Sequence, residues 1–261
     1  MGQVDRYPNG TFNWVDLATP EVAAAKSFYS ELFGWETIDV PGRHDAPYTM
    51  CRLQGMDVAA IHEQSAGEDN GWTSSISVDD IDRTTSRASE LGATVATEPF
   101  DVRNAGRTSL IRDPAGAIVS LWQPKEHFGA GLVNEVGTWS WNELVTDRLD
   151  TAREFYADLL GWSSEVVAGP IPRASFTLGD LLLGGAHSPT PQEGSKARWT
   201  VSFRVAEVDE AVARAKELGG TILFPPMNIP IGRFGIVADP TGAAFTMAAF
   251  PAGPFRGVDG S

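Results

Sequence analysis

The chain is an internal tandem duplication, and no other feature narrows its fold as far. Phe28-Tyr29 recurs as Phe155-Tyr156, 127 positions on, and Gly34-Trp35 recurs as Gly161-Trp162 at the same offset. Trp14 and Asp16 have their counterparts in Trp141 and Glu143, again 127 apart. Val78-Asp79-Asp80-Ile81-Asp82 answers to Val205-Ala206-Glu207-Val208-Asp209, and Leu91-Gly92 to Leu218-Gly219. Gly106-Arg107 matches Gly232-Arg233, and Asp113-Pro114-x-Gly116 matches Asp239-Pro240-x-Gly242, both at an offset of 126. Matching words in one order at a nearly constant spacing mark two copies of one domain.

Each copy divides again. Phe12 to Ala18 reads as a strand, and Thr19-Pro20-Glu21 then supplies a capping hydroxyl, a first-turn proline and an acidic residue for a helix start. Val22, Ala25, Phe28, Tyr29 and Leu32 recur at helical spacing, and Gly34 ends the helix. Short β runs follow at 36–40, 47–53 and 57–62. The same order then repeats: a strand at 72–78, a helix at 80–91 closed by Gly92, and strands at 93–97, 107–112 and 117–122. Asp113-Pro114-Ala115-Gly116 is the tight turn before the last strand. The predicted class is α+β, with four βαβββ units in two domains. Domain 1 spans 8–124, with units 8–66 and 71–124; a linker covers 125–135. Domain 2 spans 136–250, with units 136–190 and 196–250, and a tail covers 251–261. A helix over one face of each mixed sheet leaves the other face to line a cup, where pockets form readily.

Composition bounds the partners. The 34 acidic residues exceed the 20 basic ones, for a net charge of −14. Such a surface repels nucleic-acid backbones and anionic membranes and attracts cations, so neither nucleic acid nor membrane is expected. No run of about 18 apolar residues is present. Cys51, the single cysteine, has no disulfide partner within the chain. The first dozen residues lack a basic region followed by an apolar core, so a cytoplasmic chain is expected. Eight tryptophans favour apolar cores and clefts for flat ligands.

The succession of strand, Phe-Tyr within a helix, Gly-Trp, then Gly-Arg and Asp-Pro-x-Gly resembles the vicinal oxygen chelate superfamily. That superfamily includes glyoxalase I, extradiol dioxygenases, fosfomycin-resistance enzymes and bleomycin-binding proteins. The resemblance covers residues 10–124 and 137–249, and implies the βαβββ unit and paired units closing a cup. Within the superfamily the chain is most similar to a tandem actinobacterial group that includes a mycobacterial 27 kDa antigen. The shared words are Asn13-Trp14-Val15-Asp16-Leu17, Trp141-Asn142-Glu143-Leu144, Ala105-Gly106-Arg107 and Gly232-Arg233-Phe234.

The resemblance also implies metal ligands (His, Gln or Glu) at four inward strand positions per cup. Carried over motif by motif, these are Trp14, Ala60, Thr73 and Ser120 in the first half, and Trp141, Gly185, Thr200 and Thr246 in the second. None is a histidine or a carboxylate, and Trp, Ala and Gly side chains offer a metal nothing. No metal cofactor is therefore expected at the standard positions.

Other residues offer chemistry. Alternation along a strand turns Asp16 inward with Trp14, and Glu143 inward with Trp141. Each cup then holds an indole beside a carboxylate. The pair suits a flat or cationic ligand or a general base; the alternative is a carboxylate satisfied by a neighbouring Arg or amide. His62 and His187 lie two residues beyond Ala60 and Gly185, so they also face inward, either as acid–base partners or as solvated strand-end residues. A metal held by Asp16 and His62 would have only two ligands. Arg107 and Arg233 can bind an anion, pair with Asp16 or Glu143, or pair with the Asp113 or Asp239 turn. Thr73, Thr200, Ser120, Thr246 and Trp122 complete the candidate lining; Trp72 and Trp122 also suit the core. Phe28, Tyr29, Phe155 and Tyr156 read as helix-face core without a further role.

Two function classes follow. One is a binding module for a small organic metabolite or drug, cationic or aromatic. The other is a small-molecule enzyme, a lyase, isomerase or oxygenase, that uses an inward carboxylate or an atypical metal site. A scaffold without chemistry is the third reading. The duplication supplies internally what single-copy relatives gain by dimerising, so a monomer is expected.

Overall fold

The structure, a computed structural model, describes residues 2–42, 47–167, 169–191 and 193–250, and the tail at 251–261 lies outside them. The first half runs β1 (Phe12–Thr19), α1 (Val22–Phe33), β2 (Glu36–Pro41), β3 (Pro47–Leu53), β4 (Met56–Glu63), then β5 (Gly71–Ser77), α2 (Ile81–Glu90), β6 (Thr94–Val102), β7 (Gly106–Arg112) and β8 (Ile118–Pro124). The second half repeats this as β9 (Trp139–Val145), α3 (Leu149–Leu160), β10 (Ser163–Val167), β11 (Arg173–Leu178), β12 (Leu181–His187), β13 (Arg198–Arg204), α4 (Val208–Glu217), β14 (Thr221–Ile229), β15 (Gly232–Ala238) and β16 (Ala244–Ala249). The βαβββ order is thus present four times, in an α+β fold. Helix α1 starts later than the sequence suggests. Pro20 stays outside it, and the Thr19 hydroxyl accepts the Glu21 N–H at 3.3 Å. No helix of the described residues is long and apolar enough to cross a membrane.

Each half forms one eight-stranded mixed sheet, ordered β2-β3-β4-β1-β5-β8-β7-β6 and β10-β11-β12-β9-β13-β16-β15-β14. Inside a unit the first strand pairs parallel with the last, β1 with β4 and β5 with β8. The two units then join through their first strands, antiparallel, β1 with β5 and β9 with β13. Alternation gives each sheet two chemically distinct faces. Val15, Leu17, Ile61, Ile76 and Leu121 have no exposed surface and face the helices. Trp14, Asp16, Ala60, Thr73, Ser75 and Ser120 share the opposite, inner face through the registers Asp16↔Ala60, Asp16↔Thr73, Trp14↔Ser75 and Ser75↔Ser120.

The helix-bearing faces of the two halves pack together. Helix α1 contacts α4, α2 contacts α3, and β5 contacts β13. Tyr29 corrects its sequence reading as core without a further role. Its hydroxyl accepts from Trp72 Nε1 at 3.0 Å and donates to Asp239 Oδ2 of the other half at 3.1 Å. Tyr156 does the same in reverse, accepting from Trp199 Nε1 at 2.8 Å and donating to Asp113 Oδ2 at 2.8 Å. Both aspartates belong to the Asp-Pro turns. Their other oxygens hold the turn, Asp113 Oδ1 accepting from the Ala117 N–H and Asp239 Oδ1 from the Ala243 N–H. Burial holds both tyrosine pKa values well above the ordinary range and raises that of Asp113. Trp35 Nε1 reaches Gly137 O at 2.7 Å, and Trp162 Nε1 reaches Gly10 O at 2.7 Å, so the two Gly-Trp words also cross between halves. Tyr29→Phe or Tyr156→Phe would leave a buried carboxylate oxygen without its donor. Each is expected to lower stability by about 1–3 kcal/mol in urea unfolding. A loss below about 0.5 kcal/mol would show that the crossing bonds are dispensable.

Candidate functional site

The inner faces carry two related clusters. In the second half, Trp141 Nε1 donates to Glu143 Oε2 at 2.6 Å, and the other oxygen, Oε1, meets His187 Nδ1 at 3.0 Å. His187 Nε2 meets Glu193 Oε1 at 3.0 Å, so the imidazole sits between two carboxylates. Glu193 is held in turn by the Thr190 N–H at 2.8 Å and the Thr190 hydroxyl at 2.7 Å. Thr200 donates to the Glu143 carbonyl at 3.1 Å.

The first half reaches the same end with one more link. Trp14 Nε1 donates to the Tyr48 hydroxyl at 3.0 Å, and that hydroxyl donates to Asp16 Oδ2 at 3.2 Å. His62 Nδ1 stands 3.9 Å from Asp16 Oδ2, beyond hydrogen-bond range, while His62 Nε2 meets Glu68 Oε1 at 3.2 Å. Asp is one methylene shorter than Glu, so it falls short of both indole and imidazole, and Tyr48 bridges the first gap. Tyr48 also stacks on His62, with centroids 5.8 Å apart. By register its counterpart is Arg173, since Tyr48 pairs with His62 and Arg173 with His187.

Glycine makes room for the longer acid. A Cβ added to Gly185 would collide with the carboxylate of Glu143, whereas the shorter Asp16 stands beside Ala60 in the matching register. Asp with Ala and Glu with Gly are thus two solutions to one packing constraint.

The protonation states follow. Burial opposes the charge on His187, but its bonds to Glu143 and Glu193 outweigh that, and its pKa is raised. Burial likewise opposes charge on His62, and Glu68 with Asp16 raises it on balance. Burial raises Asp16, against the opposing pull of the imidazole. Glu68 and Glu193 are lowered, since their histidine and Ser65 or Thr190 donors outweigh burial.

The inward turn of Trp14, Asp16, His62, Trp141, Glu143 and His187 is as the alternation suggests. Glu68 and Glu193 escaped sequence reasoning. The available signal was a Glu six residues after each inward His, with a Ser or Thr midway whose N–H fixes the carboxylate. Ser120 meets the Thr108 hydroxyl at 3.0 Å, and Thr246 pairs in register with Ser202 and Ile236. Trp122 Nε1 donates to the His127 carbonyl at 2.9 Å, and the His127 ring lies edge-on to Trp14 at 4.6 Å and to Trp122 at 5.9 Å. The linker therefore enters the first cup, which its Pro and Gly content did not suggest. Trp72 is core.

Arg107 and Arg233 require correction. Neither faces a cup, and neither pairs with Asp16, Glu143 or the Asp-Pro turns. Thr108 faces Ser120 inside, so its neighbour Arg107 points outward to Asp82 of α2. Arg233 pairs with Asp209 of α4 at 2.6 Å. Each guanidinium ties a sheet to the first turn of a helix, where an aspartate is already favoured.

The donor set at the eight family metal positions does not suit a divalent metal. Trp14, Ala60, Trp141 and Gly185 present no ligand atom, and Glu143 fills the space that a side chain at 185 would need. Among the described residues no group of three or more His, Cys, Asp or Glu is arranged to hold a metal ion.

Two measurements probe the clusters. Gly185→Ala should displace the Glu143 carboxylate from Trp141 and His187 and destabilise the protein, and Glu143→Asp in the same chain should relieve the collision and restore part of the loss. A double-mutant cycle should give a coupling of about 1 kcal/mol or more, and additive effects would refute the packing relation. In proton NMR, His62 and His187 should titrate above, and His127 below, the ordinary imidazole value, since burial lowers His127. A raised folded-state pKa stabilises below the unfolded value and stops doing so as pH rises through the folded one. The stability difference between the wild type and the His62→Gln/His187→Gln variant should therefore shrink as pH rises past neutrality; a difference that grows instead would show the imidazoles are held neutral.

Comparison with known proteins agrees with this architecture. The family model described as "Glyoxalase/Bleomycin resistance protein/Dioxygenase superfamily" matches twice, at residues 11–121 and 135–247. The protein named "Putative glyoxylase CFP32" of Mycobacterium tuberculosis is 42% identical over 257 residues, covering 95% of this chain and 97% of that one. "Anthracycline biosynthesis protein DnrV" of Streptomyces peucetius is 32% identical over 258 residues, covering 93% and 94%. Among solved structures, the Mn(II)-bound glyoxalase of Novosphingobium aromaticivorans superposes with a TM-score of 0.63 at 17% identity, over 92% of this chain and 82% of that one. The 2,3-dioxygenase LapB of Pseudomonas sp. KL28 gives 0.64 at 15% identity, over 98% and 96%. These likenesses in structure concern the fold. With both halves matched by the family model and relatives aligned over nearly their whole length, the chain belongs to the glyoxalase/bleomycin resistance protein/dioxygenase superfamily.

Proposed function

We propose that this protein binds a small organic molecule in its cups, on the inward carboxylate–imidazole pairs, with no metal at the superfamily's usual positions. The observation that carries this reading is the Glu143 carboxylate. It takes the space beside Gly185, where a metal-ligating side chain would project, and is fixed there by Trp141 and His187. A carboxylate accepts hydrogen bonds and attracts cations, and the adjoining indole offers a flat apolar face. The names of the relatives, a glyoxylase and an anthracycline biosynthesis protein, belong with small-molecule chemistry.

The second reading is catalysis, as a lyase, isomerase or oxygenase. Asp16 favours it: burial raises its pKa, and a carboxylate so placed beside Tyr48 and His62 has the character of a general base. On that reading Asp16→Asn abolishes turnover of a substrate, and Glu143→Gln removes the second base.

Metal analysis and fragment titration test the first reading. Purified protein should contain well under one equivalent of Fe, Zn, Ni or Mn, and a chelator should leave its melting temperature unchanged. Stoichiometric metal would overturn the metal-free site. Aromatic and cationic fragments, followed by the indole N–H resonances in NMR, should perturb Trp14 or Trp141 in the wild type. Failure of the whole set to shift either would overturn binding in the cups.

A further inference from the structure

Strands β6 and β14 are the last in their sheets, each paired on one side only among the described residues. The registers Thr97↔Leu110 and Asp101↔Arg107 in the first half answer to Phe224↔Ile236 and Asn228↔Arg233 in the second, so the two edges correspond residue by residue. The first edge carries exposed Glu98, Asp101 and Arg103, charges that keep a free edge in water. The second carries none: from Leu218 to Gly232 there is no Asp, Glu, Lys, Arg or His. Ala96 becomes Leu223, Glu98 becomes Pro225, Asp101 becomes Asn228, and Ala105 becomes Ile231.

The loss of charge comes with a gain of apolar surface. Ile222, Leu223, Met227 and Ile231 are 37%, 52%, 40% and 51% exposed, four of the eight large apolar side chains exposed among the described residues. A strip of this kind marks a contact surface. Its backbone is unsuited to adding a strand. Pro225 and Pro226 have no N–H, and the register shifts twice, between Ile222 and Phe224 and between Phe224 and Met227. The Pro226 carbonyl already accepts from Arg233. The contact is therefore made by side chains. Charge then selects the occupant. A partner with charges opposite the strip would bury them unpaired, so it must bring a neutral apolar strip of its own. A second copy brings one. On a chain of net charge −14 the strip is also a place where two copies can meet without pressing like charges together. Leu223, Met227 and Ile231 lie four residues apart, so a two-fold axis at Met227 sets Leu223 opposite the partner's Ile231.

We infer that β14 is the contact edge of a two-fold dimer, joined through Leu223, Met227 and Ile231 with the two strips antiparallel. Each chain has one such edge, and a two-fold contact occupies both, so assembly stops at two. The duplication alone suggests a monomer; it accounts for the docking of the halves, not for this edge. The nine residues of β14 span about 30 Å, which places the contact in the small, concentration-dependent class.

The test is sedimentation equilibrium of the full chain from about 1 to 500 μM. The mass should rise from 28.0 kDa toward twice that value and no further. Leu223→Glu/Ile231→Glu and Leu223→Lys/Ile231→Lys should each weaken association at least about tenfold, and an equal mixture of the two should regain it, because opposite charges then face each other across the axis. Val167→Glu, at a 60% exposed position on β10 at the other edge of the same sheet, should change the association constant less than about twofold. Added salt should tighten the dimer by screening the acidic surfaces. A wild type that stays monomeric to about 500 μM overturns the dimer, and its flotation with phosphatidylcholine vesicles would assign the strip to a lipid surface instead. Association that survives both charged variants, or a mixture that fails to regain it, overturns the placement at β14. Growth beyond the dimer, or weakening by salt, overturns a closed apolar contact. A fall of more than about 4 °C in the melting temperature of the dilute charged variants would show that the strip is covered within its own chain, which overturns the assignment to a second copy.

Discussion

The antiparallel pairing of first strands, β1 with β5 and β9 with β13, governs most of what the molecule presents. A βαβββ unit alone has a short sheet with an unpaired edge at its first strand. Pairing two such edges closes each half into eight continuous strands and fixes one parity for the whole sheet. A slip of one residue at Asp16↔Thr73, with β5 held in place, would turn Trp14 and Asp16 into the helix-facing core and bring Val15 and Leu17 into the cup. The zero exposure of Val15 and Leu17 shows why that slip is disfavoured: two large apolar side chains would lose their burial, about 1.5–3 kcal/mol each. The site's polar residues are thus held inward by the cost of exposing their apolar neighbours.

A second constraint joins the halves. Tyr29 and Tyr156 each take a hydrogen from an indole of their own half and give one to the aspartate of the other half's Asp-Pro turn. Asp113 and Asp239 are nearly inaccessible, so each must have its partners supplied by protein, and the pairs stay satisfied only while both halves are docked. The same turns hold the start of β8 and β16, whose inner residues line the cups. Docking and cup geometry are therefore connected through two side chains per half.

Duplication was legible because its carriers are turn, glycine and aromatic words whose geometry tolerates little change. Gly34 and Gly161 both take φ near +74°, and each ends its helix by returning an N–H to the preceding turn. Alternation from Trp14 and Trp141 then placed Asp16, Glu143, His62 and His187 on the correct face. Long-range partners were not legible. A Tyr on a helix face looks apolar by its spacing, and nothing local shows that the hydroxyl crosses to Asp239 or Asp113. Arg107 and Arg233 failed for a simpler reason. Their neighbours Thr108 and Phe234 take the inward parity, which sends the guanidinium to a helix start. Glu68 and Glu193 lie in loops, where no period applies, and only comparison of the two halves would have paired each with the His six residues before it.

Fusing the copies in one chain also removes a restriction. In a symmetric dimer every substitution enters both sites at once, so a change that improves one cup alters the other equally. Here Asp16, Ala60 and Tyr48 form one working set and Glu143 and Gly185 another, and neither set tolerates a single exchange. Glu at 16 would press on Ala60, and Asp at 143 would fall short of His187 and Trp141. Such sets diverge only where the copies mutate independently. The differences at the sheet edges, Glu98 against Pro225 and Ala96 against Leu223, continue the same drift beyond what packing requires. Packing fixes the inner carboxylate in both halves to a partner of matching size; it does not ask for charges along one edge and an apolar strip along the other. That surplus difference is the part of the sequence that the fold leaves free for recognition.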